Sequence, residues 1–228
     1  TPARSPSGLS TTRRRVAVTG ACGLVGRCLV NRLCADPAVA SVHALVRREL
    51  DVSHSKLQVH VIDFSDIPAL PTIDEVYLAL GTTIKAAGSQ AAFRAVDYEA
   101  NLAVANAARD AGARRLGLVS AVGANARSRV FYNRVKGELE EALKTLGFEA
   151  LVVARPSLLR GDRAALGQPV RVGESRWTRV DAMLRPLIPA GLRAIDATDV
   201  AAALAQRVPR ATGFEVLKSS AMQGAARV

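Results

Sequence analysis

From about residue 15 onward, short runs of Val, Ile, Leu and Ala alternate with longer Ala- and Leu-rich stretches whose apolar positions recur every three or four residues. Short unbroken apolar runs suit strands buried on both faces, and the longer spacing suits helices packed on a sheet by one side. The pattern predicts strands over residues 16–19, 42–46, 58–62, 75–80, 115–120 and 150–154, and helices over 25–35, 90–111 and 130–146. In the last helix Val135, Leu139, Ala142, Leu143 and Leu146 form one apolar face. Gly112 and Gly147 stand where a left-handed residue ends a helix. Strands that alternate with helices predict an α/β fold, a doubly wound parallel sheet of Rossmann-like type.

After Arg155 and Pro156 the texture changes. Residues 157–193 are rich in Arg, Gly and Pro, with a short helix expected near 181–187, and read as a small C-terminal segment covering a substrate. Thr198 or Asp199 would cap a helix over 200–207, and 214–217 would be a final strand. The expected organisation is a disordered tail over 1–13 and one domain over 14–228.

Composition narrows the class. The chain has 228 residues, 49% of them apolar, enough to bury a full core. No apolar stretch reaches the ~18–20 residues of a membrane span. The formal charge of +11 suggests a polyanion partner until it is located. Residues 1–15 hold four Arg and no acid, residues 16–115 ten basic and ten acidic groups, and residues 116–228 seventeen basic and ten acidic. Residues 1–15 also hold six Ser or Thr, a composition that fits a transit peptide. The stretch is short, lacks an amphipathic pattern and does not begin with Met, so a solvated tail is the preferred reading. Cys22, Cys28 and Cys34 crowd one segment and read as reduced thiols, which points to the cytoplasm. His43, His54 and His60 are scattered, with no Cys/His spacing of a metal site.

The strand over 16–19 runs into Gly20, then Gly23 and Gly26, before the next helix. Glycines there permit a tight turn, close approach to a pyrophosphate and close helix packing, while the helix N-terminus offers free N–H groups at Leu24 and Val25. The spacing is G-x-x-G-x-x-G, which differs from the usual dinucleotide fingerprint, and a glycine-rich turn without a ligand is the alternative. At the tip of the second strand Arg47 and Arg48 replace the acidic residue that would receive the ribose hydroxyls of NAD. A guanidinium there suits a 2′-phosphate, which favours NADP(H) over NAD(H); solvated loop arginines are the alternative.

Tyr132 and Lys136 lie one helical turn apart, and Ser120 ends a strand twelve residues earlier. A phenol with a pKa near ~10 is a poor acid or base at neutral pH, and a cation beside it favours the phenolate. The three residues read as a catalytic set, with Ser120 polarising a substrate carbonyl and Tyr132 exchanging the proton. A chance Tyr-x-x-x-Lys on a helix surface remains the bland alternative.

The order of Thr19-Gly20-x-x-Gly23-x-x-Gly26, Ser120, Tyr132-x-x-x-Lys136 and Arg155-Pro156 resembles the short-chain dehydrogenase/reductase superfamily in its extended or atypical branch. Residues 80–85, 93–97 and 131–138 resemble most closely the small oxidoreductases similar to human Tat-interacting protein and their bacterial relatives. The resemblance implies Gly20, Gly23, Leu24, Val25 and Gly26 at the pyrophosphate, Asp63 at the adenine amine, and Gly81 with Thr82 beside the ribose. It also implies that Lys136 meets the nicotinamide ribose and that Pro156 joins the cofactor contacts. Asp97 and Asn101 fall on the helix that backs the site in relatives. Only about 70 residues follow Pro156, against a larger substrate domain in nucleotide-sugar enzymes of this branch, which argues against such a substrate.

The expected activity is NADP(H)-dependent transfer of hydride to or from a small carbonyl or alcohol. Arg160, Arg163, Arg171, Arg176 and Arg179 would favour an anionic substrate, unless they are solvated or paired with Asp162, Glu174 and Asp181. The competing class is an NADP(H) sensor that acts through protein partners. Nucleic acid is disfavoured for want of aromatic platforms or a reading motif. A homo-oligomer is compatible with the sequence, and the substrate stays unnamed.

Overall fold

The computed structural model describes residues 13–160 and 193–227. In chain order these form β1 (Arg14–Thr19), α1 (Leu24–Ala35), β2 (Val39–Val46), β3 (Leu57–Val61) and β4 (Glu75–Leu78). Next come α2 (Ile84–Ala87), α3 (Gln90–Arg94), a π-helical turn (Ala95–Ala100), α4 (Asn101–Asp110), β5 (Arg115–Val119), α5 (Phe131–Lys144) and β6 (Ala150–Arg155). The described elements close with β7 (Leu159–Arg160), β8 (Ile195–Asp196), α6 (Ala197–Arg207), β9 (Gly213–Lys218) and α7 (Ser219–Met222).

Seven strands make one parallel sheet in the order β3-β2-β1-β4-β5-β6-β9, the Rossmann-like fold that the alternation implied. Successive strand residues point to opposite faces, and here each face meets its own helical layer. Val16, Val18, Val42, Ala44, Val152 and Ala154 pack with Leu29 and Leu33 of α1 and with Val200 and Leu204 of α6. Ala17, Leu45, Val76, Leu78, Leu116 and Val153 pack instead with Val104 and Ala108 of α4 and Leu139 and Leu143 of α5. The two-residue period thus divides one run of apolar sequence between two cores.

Several expectations change in detail. The helix expected over 90–111 contains the π-helical turn. Its buried positions Phe93, Asp97 and Asn101 recur every four residues. In a regular α-helix of 3.6 residues per turn each such step overshoots by about 40°, and a widened turn takes up the excess. Gly112 and Gly147 do adopt positive φ, at 100° and 76°. Asp196 occupies the cap position of α6, and Asp199 in its first turn accepts from the N–H groups of Gly224 and Ala226 at 2.9 and 3.0 Å. Its carboxylate therefore fastens the C-terminal turn and does not cap the helix.

Arg14 and Arg15, which the sequence places in the basic N-terminal stretch, are strand residues: Arg14 pairs with Glu75 at 2.7 Å and Asp36 at 2.6 Å, and Arg15 with Asp74 at 2.9 Å. Residues 1–12 of the tail expected over 1–13, and residues 161–192 of the cover expected over 157–193, including the helix expected at 181–187, lie outside the described residues. Arg160, at the near end of that segment, sits 3.4 Å from Asp196.

Two of the scattered histidines meet at the sheet edge, with His43 Nδ1 and His60 Nε2 3.0 Å apart and Ser41 Oγ 3.0 Å from His43 Nε2. Burial lowers the His43 pKa, and His60 and Arg15 lower it further. The unfolded chain therefore binds the His43 proton more readily than the folded one. Stability is full above the unfolded value of ~6.5 and falls as pH drops below it toward the folded value. We expect urea titrations to show stability falling as pH drops below that point, and His43→Gln to flatten this slope; an equal slope in the variant would contradict the assignment.

Candidate functional site

The chain leaves β1 toward β2 and β3 on one side and returns to β4 on the other, so β1 and β4 flank the switch point of the sheet. In open α/β sheets the crevice beyond the carboxyl ends of such strands is where ligands bind. Two sequence features end there, the glycine turn after β1 and the residues 79–83 after β4. Thr19 holds the two strand ends together, its Oγ1 accepting from Ala79 N–H at 3.1 Å.

Gly20 has φ 68°, and a side chain there would lie 2.2 Å from the Ala79 carbonyl oxygen. At Gly26 a Cβ would come within 2.1 Å of the Gly20 carbonyl oxygen, so α1 rests directly on the turn. Gly23, by contrast, would meet only the Gly20 oxygen at 3.2 Å, leaving its outer side open. It occupies the N-cap position of α1, where no side chain caps the helix. Val25 is buried and Leu24 partly buried against the core, which directs their side chains inward. An uncapped helix N-terminus behind a cradle that only glycine can form fits a dinucleotide pyrophosphate. Cys22 packs partly buried against the same core.

At the tip of β2, Arg47 and Arg48 are both exposed, and no hydrogen bond or ion pair engages either among the described residues. Asp63 follows β3, exposed, its Oδ1 accepting from Ser65 N–H at 2.9 Å. That bond holds its carboxyl pKa below the ordinary value. Gly81 and Thr82 follow β4, with Thr82 N–H donating to Asp97 Oδ2 at 2.8 Å.

Helix α5 carries Tyr132, Lys136 and Glu140 at four-residue intervals, a single stripe along its length. The stripe faces the Phe93, Asp97 and Asn101 series for its first two members. The Tyr132 ring lies 5.4 Å from the ring of buried Phe93, and Lys136 Nζ is 2.7 Å from Asp97 Oδ1. Both charged side chains are buried, 5% and 0% exposed. Burial pulls the Lys136 pKa down, and Asp97, with help from Tyr132 and Glu140, more than reverses this, so the ammonium is held above its ordinary value. Asn101 Nδ2 faces the Leu80, Val96 and Asp97 carbonyl oxygens at 3.2–3.3 Å, which ties the π-helical turn to the end of β4.

Ser120 lies just beyond β5. It is buried, and its hydroxyl donates to Glu140 Oε1. Arg155, ending β6, grips the same carboxylate, with Nε donating to Oε1 at 3.1 Å and Nη2 to Oε2. Glu140 accordingly raises the Arg155 pKa by its hydrogen bonds and charge. A hydroxyl has one proton to give, so with Glu140 as its acceptor Ser120 presents only lone pairs to any other partner. Pro156 is buried, its carbonyl accepting from Val122 N–H at 2.9 Å. A cavity of about 590 Å³ opens beside this tie, lined in part by Asn125, Arg127, Glu141 and Arg155.

The geometry thus groups Gly20, Gly23, Gly26, Gly81 and Thr82 at the switch point, sets Lys136 against Asp97 beneath the 81–82 turn, and sends Ser120 to Glu140. Sequence reasoning missed Glu140. Its signal was there in the four-residue continuation of Tyr132 and Lys136, which places a carboxylate on the face that packs inward.

A parallel sheet with a glycine turn at its switch point and a Tyr-Lys helix beside it defines a dinucleotide-binding protein of oxidoreductase type. A family model described as NAD(P)H-binding matches residues 20–174, and the chain belongs to that family, within the atypical short-chain dehydrogenase/reductase Rossmann superfamily. It is 36% identical over 197 residues to "Protein FMP52, mitochondrial" of Candida albicans, covering 80% of this chain and 82% of that one. It is 38% identical over 158 residues to the protein of the same name in Emericella nidulans, covering 65% and 68%. Among solved structures, an oxidoreductase of the short-chain dehydrogenase/reductase family from Burkholderia thailandensis superimposes with a TM-score of 0.66 at 21% identity, covering 92% of this chain and 93% of that one.

The names of the two relatives overturn the cytoplasmic expectation. Reduced thiols exclude only oxidising compartments, and they could not separate the cytoplasm from another reducing one. No helix among the described residues is long and apolar enough to cross a membrane.

Proposed function

We propose that the protein is an NADP(H)-dependent oxidoreductase acting on a small carbonyl or alcohol, with Tyr132 as the proton-exchanging group. The observation that carries this reading is the buried ammonium of Lys136, one helical turn from Tyr132 and beneath the turn that follows β4. A cation held in that place favours the phenolate of its neighbour, which lets a phenol trade protons at neutral pH.

When bound, the nicotinamide supplies or accepts the hydride. In the reducing direction Tyr132 gives its proton to the substrate oxygen, and in the oxidising direction it takes that proton back. Gly20, Gly23 and Gly26 with the amides of Leu24 and Val25 would hold the pyrophosphate. Asp63 would meet the adenine, and Gly81, Thr82, Lys136 and Pro156 the nicotinamide half. Ser120 enters this reading as an acceptor: its proton is committed to Glu140, so it offers a substrate hydroxyl a lone pair and leaves a carbonyl oxygen to Tyr132. The proposed setting is mitochondrial, on the names of the relatives.

The preference for NADP(H) rests on Arg47 and Arg48, two guanidinium groups without a partner among the described residues, where a 2′-phosphate would lie. Fluorescence titration should give NADPH a Kd at least about tenfold below that of NADH, one charge-assisted contact being worth about 1.4 kcal/mol or more. Arg47→Ala should erase most of the difference. Equal or weaker binding of NADPH by the unaltered protein would contradict the preference. NADPH binding without turnover over a broad carbonyl panel would favour the sensor instead.

A further inference from the structure

Asp97 has no role in the reading above, yet it is fully buried and charged, and it touches both halves of the site. Its Oδ2 accepts the Thr82 N–H at 2.8 Å, and its Oδ1 lies 2.7 Å from Lys136 Nζ. Gly81 closes the top of the arrangement, since a Cβ there would lie 3.5 Å from Asp97 Oδ1 and 3.8 Å from Lys136 Nζ. A carboxylate between a backbone N–H and an ammonium ties the one to the other.

We propose that Asp97 is a positioning residue that keeps Lys136 cationic and locks it beneath the Gly81–Thr82 turn, so that the ammonium serving Tyr132 is fixed to the turn that meets the cofactor. The inference deepens the oxidoreductase reading, and its catalytic meaning rests on that reading. The charge balance is independent of it. Lys136 is surrounded by Asp97 from the π-helical turn and by Tyr132 and Glu140 from its own helix. Glu140 already pairs with Arg155, and Asp97 is the carboxylate in contact with Lys136 Nζ, so Asp97 is the counter-ion that offsets the burial of Lys136. Without it, an ammonium this deeply buried sheds its proton, as isolated buried lysines do.

Asp97→Asn removes the charge while keeping the size and an oxygen for the Thr82 N–H. The chain has five lysines, so their 13Cε resonances can be followed through a pH titration of the cofactor-free protein, with Lys136 identified by the signal lost in Lys136→Gln. In the unaltered protein the Lys136 midpoint should lie above the free-lysine value of ~10.4. In Asp97→Asn it should fall by about two pH units or more, and in Asp97→Glu it should return toward the original. A midpoint at or below the free value in the unaltered protein would overturn the proposal even if the variant failed to fold. An unchanged midpoint in Asp97→Asn would overturn it too. The titration needs neither substrate nor turnover, so an inactive protein would sink the oxidoreductase reading and leave this one decided on its own result. Where turnover is measured, kcat of Asp97→Asn should fall as pH rises through the lowered midpoint, and Asp97→Glu should restore a flat profile over that range.

Discussion

Gly26→Ala is expected to abolish dinucleotide binding. The added methyl would sit 2.1 Å from the Gly20 carbonyl oxygen and 2.9 Å from the Ala21 nitrogen, both backbone atoms that cannot swing aside. Either α1 lifts from the sheet or the Gly20 turn is pushed outward into the space where the phosphates would lie. Forced repacking of this kind costs about 3 kcal/mol. Because both outcomes deform the cradle, the NADPH Kd should rise at least about a hundredfold, equivalent to 2.8 kcal/mol or so. Gly147→Ala is the control. That glycine has φ 76°, and a Cβ added there would meet nothing within 4 Å, so Ala costs only the strain of a left-handed backbone, about 1 kcal/mol, and leaves binding unchanged. Calorimetric unfolding and NADPH titration of the two variants separate lost packing from lost stability. Normal NADPH affinity in Gly26→Ala would remove the glycine turn from the account.

The second large effect is expected at Tyr132. Its ring leans on Phe93, whose own ring also packs edge-on against Phe131 at 5.9 Å, and Phe at position 132 keeps every one of those apolar contacts. Only the hydroxyl is lost. Proton transfer by a positioned side chain is worth about 10²–10⁴ in rate, and kcat of Tyr132→Phe should fall within that range while the NADPH Kd and the Tm stay put. With its proton donated to Glu140, Ser120 has none left to give a substrate oxygen in place of Tyr132. A drop in cofactor affinity as large as the drop in kcat would mean that Tyr132 binds the dinucleotide and moves no proton.

Much of the fold was legible because a parallel sheet covered on both faces writes itself as unbroken Val, Leu and Ala runs. The runs around 42–46 and 150–154 could be nothing else at that length, and the helix over 130–146 announced itself by its apolar face. The glycine turn was legible too, since the need for positive φ at Gly20 and for bare contact at Gly26 is local to a few residues. The π-helical turn was not, because a four-residue spacing reads as ordinary α-helix until the partner face is known. Asp199 misled for a similar reason: a carboxylate at a helix start looks the same whether it caps its own helix or holds a distant turn.

The site divides along the same line. Tyr132 and Lys136 stand out because they are one turn apart on one helix. The partners that give them meaning, Asp97 for Lys136 and Glu140 for Ser120, lie 39 and 20 residues away in sequence and meet only through helix packing and the ends of strands. The pairing of His43 with His60 likewise depends on the register of β2 with β3, which sets Leu45 beside His60 and His43 beside Gln58. Charge location fared better than total charge. The arginines of β1 neutralise acids at the far end of the strands, and Arg47 and Arg48, just after β2, have no partner among the described residues at the end where the crevice lies.

The most direct test of oxidoreductase function is the rate of NADPH oxidation by the full chain over a panel of aldehydes and ketones, measured beside Tyr132→Phe at matched, saturating cofactor. The unaltered protein should turn over at least one carbonyl, and the variant should be slower by about a hundredfold or more, with both proteins binding NADPH equally. Equal rates in the two proteins, or no turnover by either despite tight NADPH binding, would contradict it.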